Sequence, residues 1–234
     1  MADDTRIHVG TSGFSYDEWK PAFYPEGTKK AGMLSYYASQ LPSVELNNTF
    51  YRMPTEKNVT AWGEQVPDTF RFAIKSPRRL TWSNKLVDCG ELLEHLFKML
   101  QPLGAKLGCV FYQLPKFVRC DVEVLRAFLE EQPKGIHTAF EFAHESWGDA
   151  AVFDLLHQHG STAVASDKDD AEEPELAAGA PWLYLRLRRS SYGDDELRMW
   201  RDRIAESGAN EAFVFFKHED SCAGPALARR FLAL

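Results

Sequence analysis

Acidic and basic side chains recur at alternate positions within short apolar segments of this chain. Glu45 lies in SVELNNTFYRMP and Glu141 lies in FEFAHESW, each between two apolar neighbours, and Lys75 closes the segment RFAIK. Neighbouring carboxylates in unlike surroundings can be held in different protonation states, as general acid and base catalysis requires. We therefore take Glu45, Glu141 and Lys75 as candidate catalytic residues. Either carboxylate could equally be the fixed salt-bridge partner of an arginine.

Three cationic side chains in the same alternating segments would attract an anion. These are Lys75, Arg186 and Arg188, and the planar fork of an arginine suits phosphate or carboxylate. Serines after the arginine segment and the stretch 221–224 before the last helix agree with an anion site, because phosphate often binds at a helix N-terminus. The candidate substrate-binding residues are Ser12, Asn47, Gln113, Asp167, Tyr184, Arg186, Arg188 and Trp147, with His218 as a further member of the cluster.

A purely structural interpretation competes with the functional one. Acids and bases of equal number could form a salt-bridge network that fills a protein interior. Burying so many charges is costly compared with apolar filling, and clusters of perturbed ionisable groups tend to mark functional sites, so we favour function. For Arg186 we predict an anion clamp. Its truncation should then leave stability unchanged or raised while anion affinity falls.

A metal site is a weaker hypothesis. Its ligands would be Glu45, Glu141, Asp167 and either His144 or His218. The chain has no HxH, HExxH or cysteine cluster, and the neighbouring lysine and arginines would repel a dication. We therefore assign no metal ligand. The chain also shows no nucleotide-cofactor motif, so its cofactor, if any, stays open.

Alternation of apolar and polar residues is the period of a β-strand whose two faces meet different surroundings, and here it predicts eight strands. Most of these strands are separated by segments with helical spacing of apolar residues. The predicted strands cover 6–10, 44–49, 71–75, 107–114, 138–142, 162–167, 183–188 and 212–216. The predicted helices cover 33–40, 56–65, 92–100, 122–131, 146–157, 197–204 and 225–232.

This order of elements predicts an α/β fold, a (β/α)₈ TIM-type barrel that forms one domain over residues 1–234. An open doubly wound sheet is the alternative, but its strands would read as continuous apolar runs rather than carry charges on one face. The acidic connection 168–181 lacks an apolar stripe, which favours a barrel without a regular helix between strands six and seven. The candidate site residues would then share the C-terminal end of the barrel.

Net charge, cysteine spacing and hydropathy limit the class of protein to which this chain can belong. The 234 residues carry a formal net charge of -7, which argues against broad attraction to nucleic acid or membranes while leaving room for a local basic patch. The four cysteines show no paired spacing, and neither a signal peptide nor a long apolar run is visible. We expect a cytoplasmic protein with reduced thiols. The aromatic loop at 14–24 could either cover a pocket mouth or pack upon itself.

Six blocks of the sequence resemble a known family. They are GTSGFSYDEWKPAFYP, SVELNNTFYRMP, FRFAIKSPRRLTW, QLPKF, FEFAHESW and YLRLRRSSY, in the order of the signature blocks of the YecE-like family, domain of unknown function 72. The resemblance implies a TIM-type barrel and no settled activity, although such barrels have been likened to phosphodiester-cleaving ones. Two positions depart from the family pattern: Ala143 replaces an arginine, and Arg188-Arg189 replaces a His-Gly pair.

Three functions follow from these observations. The first is a hydrolase acting on a phosphate-bearing substrate, either a nucleotide or a nucleic acid. The second is a noncatalytic module that binds an anion or nucleic acid. The third, a glycosidase with a carboxylate pair, fits the basic residues poorly. Turnover separates the first from the second, and the charge of the substrate separates the first from the third.

Overall fold

The computed structural model describes residues 5–169, 171–217 and 222–234. Eight parallel strands pair in chain order, and β8 pairs with β1 to close a barrel. The strands are β1 Arg6–Ser12, β2 Ser43–Leu46, β3 Arg71–Lys75, β4 Leu107–Leu114, β5 His137–Phe142, β6 Thr162–Ser166, β7 Trp182–Leu187 and β8 Glu211–Phe216. The predicted TIM-type barrel is confirmed.

Helices cover the outside of this barrel. They are α1 Lys30–Ala38, α2 Glu56–Glu64, α3 Gly90–Leu100, α4 Val122–Glu130, α5 Ala150–Gln158, α6 Asp194–Glu206 and α7 Ala223–Ala233. The described residues between β6 and β7 contain no helix, as the acidic composition of that connection indicated. No helix in the described ranges is long and apolar enough to cross a membrane.

Two separate apolar cores explain the alternation in the strands. Outward-facing residues such as Val44 and Leu46 pack beneath the helices in a large outer core. Inward-facing residues form a smaller core inside the barrel, consisting of Ala73, Cys109, Phe111, Ala139, Trp182, Tyr184, Phe213 and Phe215, with Val164 against it. Aromatic rings of this inner core fill the barrel interior. The charged inward-facing residues of the predicted site lie above these rings, at the C-terminal ends of their strands.

The second strand is shorter than its alternation predicts. β2 ends at Leu46, and Asn48–Phe50 forms a single 3₁₀ turn. Thr49 donates its hydroxyl to the carbonyl oxygens of Leu46 at 3.0 Å and Lys75 at 2.6 Å, so it fastens the ends of two strands. The fifth helix likewise begins at Ala150 rather than at 146, because the Asp149 side chain accepts a hydrogen bond from Ala151 N and caps it.

The aromatic loop after β1 is packed on itself. Trp19, Phe23 and Tyr24 are buried, and the Phe23 ring contacts both Trp19 and Tyr24 at centroid distances of 5.7 and 4.8 Å. Tyr16 donates its hydroxyl to Ser12 O, which ties the loop back to the strand. These rings stabilise the loop by burial of apolar area, as the self-packing alternative predicted.

An ionisable cluster that the sequence did not reveal lies at the N-terminal end of the barrel. Glu211 accepts from His8 Nε2 at 2.8 Å and lies 3.2 Å from His137 Nε2, one histidine on each carboxylate oxygen. These two contacts hold the pKa of Glu211 well below its usual range. The cluster links β1, β5 and β8 across the barrel floor, opposite the end where the predicted site lies.

Candidate functional site

A connected group of polar side chains lies at the C-terminal ends of five strands. Glu45 belongs to β2, Lys75 to β3, Gln113 to β4, Glu141 to β5 and Arg186 to β7. Each of them hydrogen-bonds to at least one other member of this group. The structure therefore brings together residues that are up to 141 positions apart in the chain.

Arg186 is the centre of the group. Its Nη2 donates to Glu45 Oε1 at 2.9 Å and its Nη1 to Glu141 Oε2 at 2.8 Å. The guanidinium also lies 4.8 Å from the centroid of the Phe111 ring, and the residue is 2% exposed. Burial alone would lower the pKa of Arg186, but the two carboxylates raise it. Because both terminal nitrogens bind carboxylates, we expect Arg186 to act mainly as a structural link within the group, and the anion clamp stays a prediction for experiment to decide.

Glu45 is enclosed on all sides. It is 0% exposed and accepts hydrogen bonds from Tyr184 Oη at 2.7 Å and Asn47 Nδ2 at 3.0 Å, besides Arg186. Burial would raise the pKa of Glu45, but Arg186 and the Tyr184 hydroxyl outweigh it and lower the pKa to about 2. Burial and the Glu45 charge raise the pKa of Tyr184, so its hydroxyl remains a donor. Glu45 therefore holds Arg186 in place from a fully buried position, and its predicted catalytic role stays a prediction.

The pKa of Glu45 predicts an acid-sensitive fold. Ionised Glu45 stabilises the protein above its unfolded value of 4.5, and this contribution is lost as the pH falls from 4.5 toward 2. We expect Glu45→Gln to be less stable than wild type at neutral pH and to lose less further stability across that window. Urea unfolding at several pH values measures both. Parallel pH curves for the two proteins would contradict the assignment.

Glu141, Gln113 and Arg188 form the more accessible side of the group. Gln113 Nε2 donates to Glu141 Oε2 at 2.7 Å, and Arg188 Nη2 donates to Glu141 Oε1. Burial would raise the pKa of Glu141, but Arg186 and Arg188 lower it, so the carboxylate is ionised. The side chains of Glu141 and Arg188 keep 10% and 16% of their surface exposed, which leaves them in reach of a ligand at the barrel mouth.

Lys75 is the cationic group least committed to internal contacts. Its Nζ donates one hydrogen bond to Gln113 Oε1 at 2.7 Å within the described residues. The same atom lies 4.4 Å from the centroid of the Phe50 ring. Burial and the nearby Arg186 charge lower the pKa of Lys75 to about 8. A partly exposed amine that titrates near neutral pH can either bind an anion or accept a proton.

Asp167 lies beside this group and orders the loop after β7. Its carboxylate accepts from Arg188 N and from Tyr192 Oη, both at 2.6 Å, and Arg189 Nε lies 3.6 Å away. Burial raises the pKa of Asp167 despite these contacts. Asp167 is fully buried and supports the backbone that carries Arg188, and its predicted contact with substrate stays a prediction.

The remaining predicted residues have different surroundings. Ser12 is the register partner of Glu45, and its buried hydroxyl helps to lower the pKa of that carboxylate. Trp147 is not part of the site: it is buried outside the barrel, stacked 4.5 Å from Phe142, with Nε1 donating to Val118 O at 2.9 Å. Trp147 closes the 3₁₀ turn Glu145–Trp147 that follows β5, and this turn carries it into the helix layer.

The metal hypothesis finds no donor set in the described ranges. His144 Nδ1 accepts from Ser146 N at 3.0 Å. No group of three or more His, Cys, Asp or Glu residues within the described ranges could hold a metal ion. Two further candidates, His218 of the charged cluster and Ser221 of the stretch before the last helix, lie outside the described residues.

Sequence reasoning missed three aromatic residues of the site. Phe111 lies under Arg186, Phe50 under Lys75, and Tyr192 holds Asp167. Phe111 is two residues before Gln113 on β4 and therefore points to the same inner face, so the alternation along the strand could have identified it. Phe50 and Tyr192 follow their strands in turns, where periodicity carries no information about direction.

Comparison with known proteins identifies relatives over most of the chain. A family model described as "Protein of unknown function DUF72" matches residues 8–234. The UPF0759 protein YunF of Bacillus subtilis is 30% identical over 191 residues, 77% of this chain and 65% of that protein. The UPF0759 protein YecE of Escherichia coli K12 is 27% identical over 169 residues, 69% of this chain and 59% of that protein. Each alignment covers less than two thirds of the relative's own length.

Two crystal structures share the architecture. A DUF72 family protein of Thermotoga maritima superposes with a TM-score of 0.83 at 26% identity, covering 97% of this chain and 98% of that one. A DUF72 family protein of Enterococcus faecalis gives a TM-score of 0.76 at 19% identity and 99% coverage of both chains, which supports the fold alone.

Proposed function

Because this chain belongs to the DUF72 family, whose description assigns no activity, we propose its function from the geometry of the site. We propose a hydrolase that acts on a phosphate-bearing substrate at the C-terminal end of the barrel. The observation that carries this proposal is the Lys75 amine, partly exposed, with a pKa of about 8 and one internal hydrogen bond. Such an amine is a competent proton acceptor near neutral pH.

The accessible residues divide the chemistry between them. Lys75 takes a proton from water as the water oxygen bonds to phosphorus, and the P–O ester bond breaks. The resulting ammonium returns the proton to the leaving oxygen. Arg188, which uses Nη2 for Glu141, stabilises the charge on the phosphoryl oxygens through its remaining donors. Glu141 and Gln113 hold Arg188 and Lys75 in place, and Glu45 acts only through Arg186.

A second candidate function is binding without turnover. The observation that favours it is the pairing of both carboxylates with arginines, which keeps Glu45 and Glu141 ionised and leaves neither as a general acid. An anion would then bind the Lys75 ammonium, and its affinity would fall as the pH rises through about 8. The glycosidase hypothesis is disfavoured, because Arg186 bridges Glu45 and Glu141 where a glycosidic bond would have to lie.

Lys75→Met should separate these functions. For hydrolysis of bis(p-nitrophenyl) phosphate we expect the wild-type rate to rise with pH to a plateau above about 8, where the amine is unprotonated. Lys75→Met should lower kcat by about 10²–10⁴-fold, the usual contribution of a general base. The release of p-nitrophenol across pH 6 to 10 measures both.

The matched control is Lys134→Met, an exposed lysine in the loop before β5, which should keep the wild-type profile. Lys75→Met with unchanged rate and pH profile would refute the hydrolase. Inorganic phosphate binding that needs Lys75 and weakens above pH 8, without any turnover, would instead establish the binding function.

A further inference from the structure

A row of aromatic rings extends outward from the charged group. Tyr51 contacts Phe50 at 5.2 Å between centroids, Phe50 contacts Trp82 at 5.7 Å, and Trp82 contacts Phe117 at 5.7 Å, all edge to face. We call these four residues the aromatic shelf. They lie on the loops that follow β2, β3 and β4, so three neighbouring strands place them side by side at the C-terminal end.

Three of the four shelf residues are exposed. Tyr51 is 77% exposed, Phe117 57% and Trp82 41%, and they are the three exposed large aromatic side chains among the described residues. Rings of this size are normally buried, and an exposed group of them marks a binding surface. The fourth ring, Phe50, is buried and lies beneath the Lys75 amine, so the shelf is continuous with the proposed reaction site.

The loops that carry the shelf are basic. Their exposed cations are Arg52, Arg78, Arg79, Lys85, Lys116 and Arg119. The acids of the same loops are Asp88 and Asp121, and Asp121 is occupied as the N-cap of α4, where it accepts from Glu123 N and Val124 N. In a chain with net charge -7, this excess of cations is local. It complements a polyanion.

The central loop holds Trp82 in an unusual backbone conformation. Trp82 lies in a π-helical turn, Arg79–Ser83, and Lys85, Leu86 and Asp88 have positive φ angles of 51°, 71° and 50°. Non-glycine residues rarely adopt such angles, and both features concentrate at functional sites. Leu80 and Leu86 are buried beneath the turn and fasten it to the barrel.

We propose that the shelf binds single-stranded nucleic acid, with unpaired bases stacked on Tyr51, Trp82 and Phe117 and the phosphates along the basic loops. Exposed rings between cations are the arrangement that recognises single strands, because every base has a face to stack and every nucleotide a phosphate. A base-paired duplex offers no free base faces to the rings. A neutral polysaccharide would stack on the rings but would not require the cations. The inference rests on the proposed function in that the bound strand leads a phosphodiester to Lys75.

The test compares two oligonucleotides of equal charge. One is a fluorescein-labelled twelve-nucleotide oligothymidylate and the other is the same backbone with abasic sites, both measured by fluorescence anisotropy at one salt concentration. We expect the wild type to bind the oligothymidylate more tightly. Trp82→Ala and Phe117→Ala should each weaken that binding about 5- to 100-fold, the usual worth of one stacked base, and should leave abasic binding unchanged.

Conservative and remote variants complete the design. Trp82→Phe should keep most of the affinity, because a phenylalanine ring still stacks. Leu232→Ala, an exposed residue near the end of α7, should bind as wild type does. Lys116→Ala should weaken both oligonucleotides equally, because it removes a phosphate contact and no stacking surface.

The outcomes separate this inference from the proposed function. Equal affinity for the two oligonucleotides, or tighter binding of a duplex of the same length, would overturn the shelf as a base-stacking site. Hydrolysis of bis(p-nitrophenyl) phosphate that depends on Lys75 would in that case still support the hydrolase. Stacking-dependent binding without turnover of either substrate would keep the shelf and refute the hydrolase.

Discussion

Replacing Arg186 with alanine should lower the free energy of unfolding by about 3–5 kcal/mol, because removing one partner of a buried ion pair strands the other charge. Two carboxylates depend on Arg186, and Glu45 is fully buried. This result would reverse the sequence-based prediction of an anion clamp, for which stability should hold or rise. The reversal follows from the contacts: both terminal nitrogens already bind carboxylates inside the protein.

Urea unfolding of four variants beside the wild type tests this expectation. Arg186→Met should be destabilised as Arg186→Ala is. The triple variant Glu45→Gln, Glu141→Gln, Arg186→Met should regain only part of the loss, since neither glutamate is then an unpaired buried charge but Arg188 loses its carboxylate partner. Arg198→Ala, which breaks an exposed pair with Asp195, is the matched control and should change stability by less than about 0.5 kcal/mol. An Arg186→Ala protein as stable as wild type, with weakened phosphate affinity, would restore the clamp.

Gly10→Ala should be the most damaging small substitution in the barrel. A Cβ at this position would lie 1.9 Å from the Ser43 carbonyl oxygen and 3.1 Å from the Tyr37 hydroxyl. Gly10 pairs with Ser43 where β1 meets β2, and Tyr37 Oη donates to Ser43 O at 2.9 Å. Since the nearest obstacle is backbone, the two strands must separate, and we expect a loss of about 3 kcal/mol or more.

Gly32→Ala is the control for this change. Gly32 is exposed in α1, and a Cβ there would meet nothing within 4 Å. Alanine is the better helix former, so this variant should gain about 0.5–1 kcal/mol. Thermal or urea unfolding of both variants measures the contrast. A Gly10→Ala protein with wild-type stability would show that β1 and β2 approach less closely than described.

The sequence predicted the fold and the membership of the family, and both are confirmed. The fold was predictable because the two-residue period of a strand is a local property of the backbone, whereas the family rested on the resemblance of six sequence blocks. The same period directed Glu45, Lys75, Gln113, Glu141 and Arg186 into one group, and the structure brings them together. The residue at which a strand ends was less predictable. Thr49 continues the apolar–polar alternation of β2, although it lies in the turn after that strand.

The partners of these charges were beyond sequence reasoning. The alternation along β7 predicts that Arg186 points inward. Whether it contacts a ligand or two carboxylates depends on distances across the closed barrel. The same holds for Trp147, which a turn carries into the helix layer, and for the rings of the first loop, which bury one another. Burial and pairing are sums over neighbours from distant segments, so no local pattern contains them.

The aromatic shelf shows most clearly which properties the sequence determines and which require the tertiary structure. Tyr51, Trp82 and Phe117 stand in three separate loops, and each by itself reads as an ordinary apolar residue of the sequence. They become one exposed surface only because β2, β3 and β4 are neighbours in the barrel and end at the same face. The face of the sheet to which a strand residue points is set locally by backbone geometry. Which loops are adjacent, and which side chains are exposed to water, is decided only when the barrel has closed.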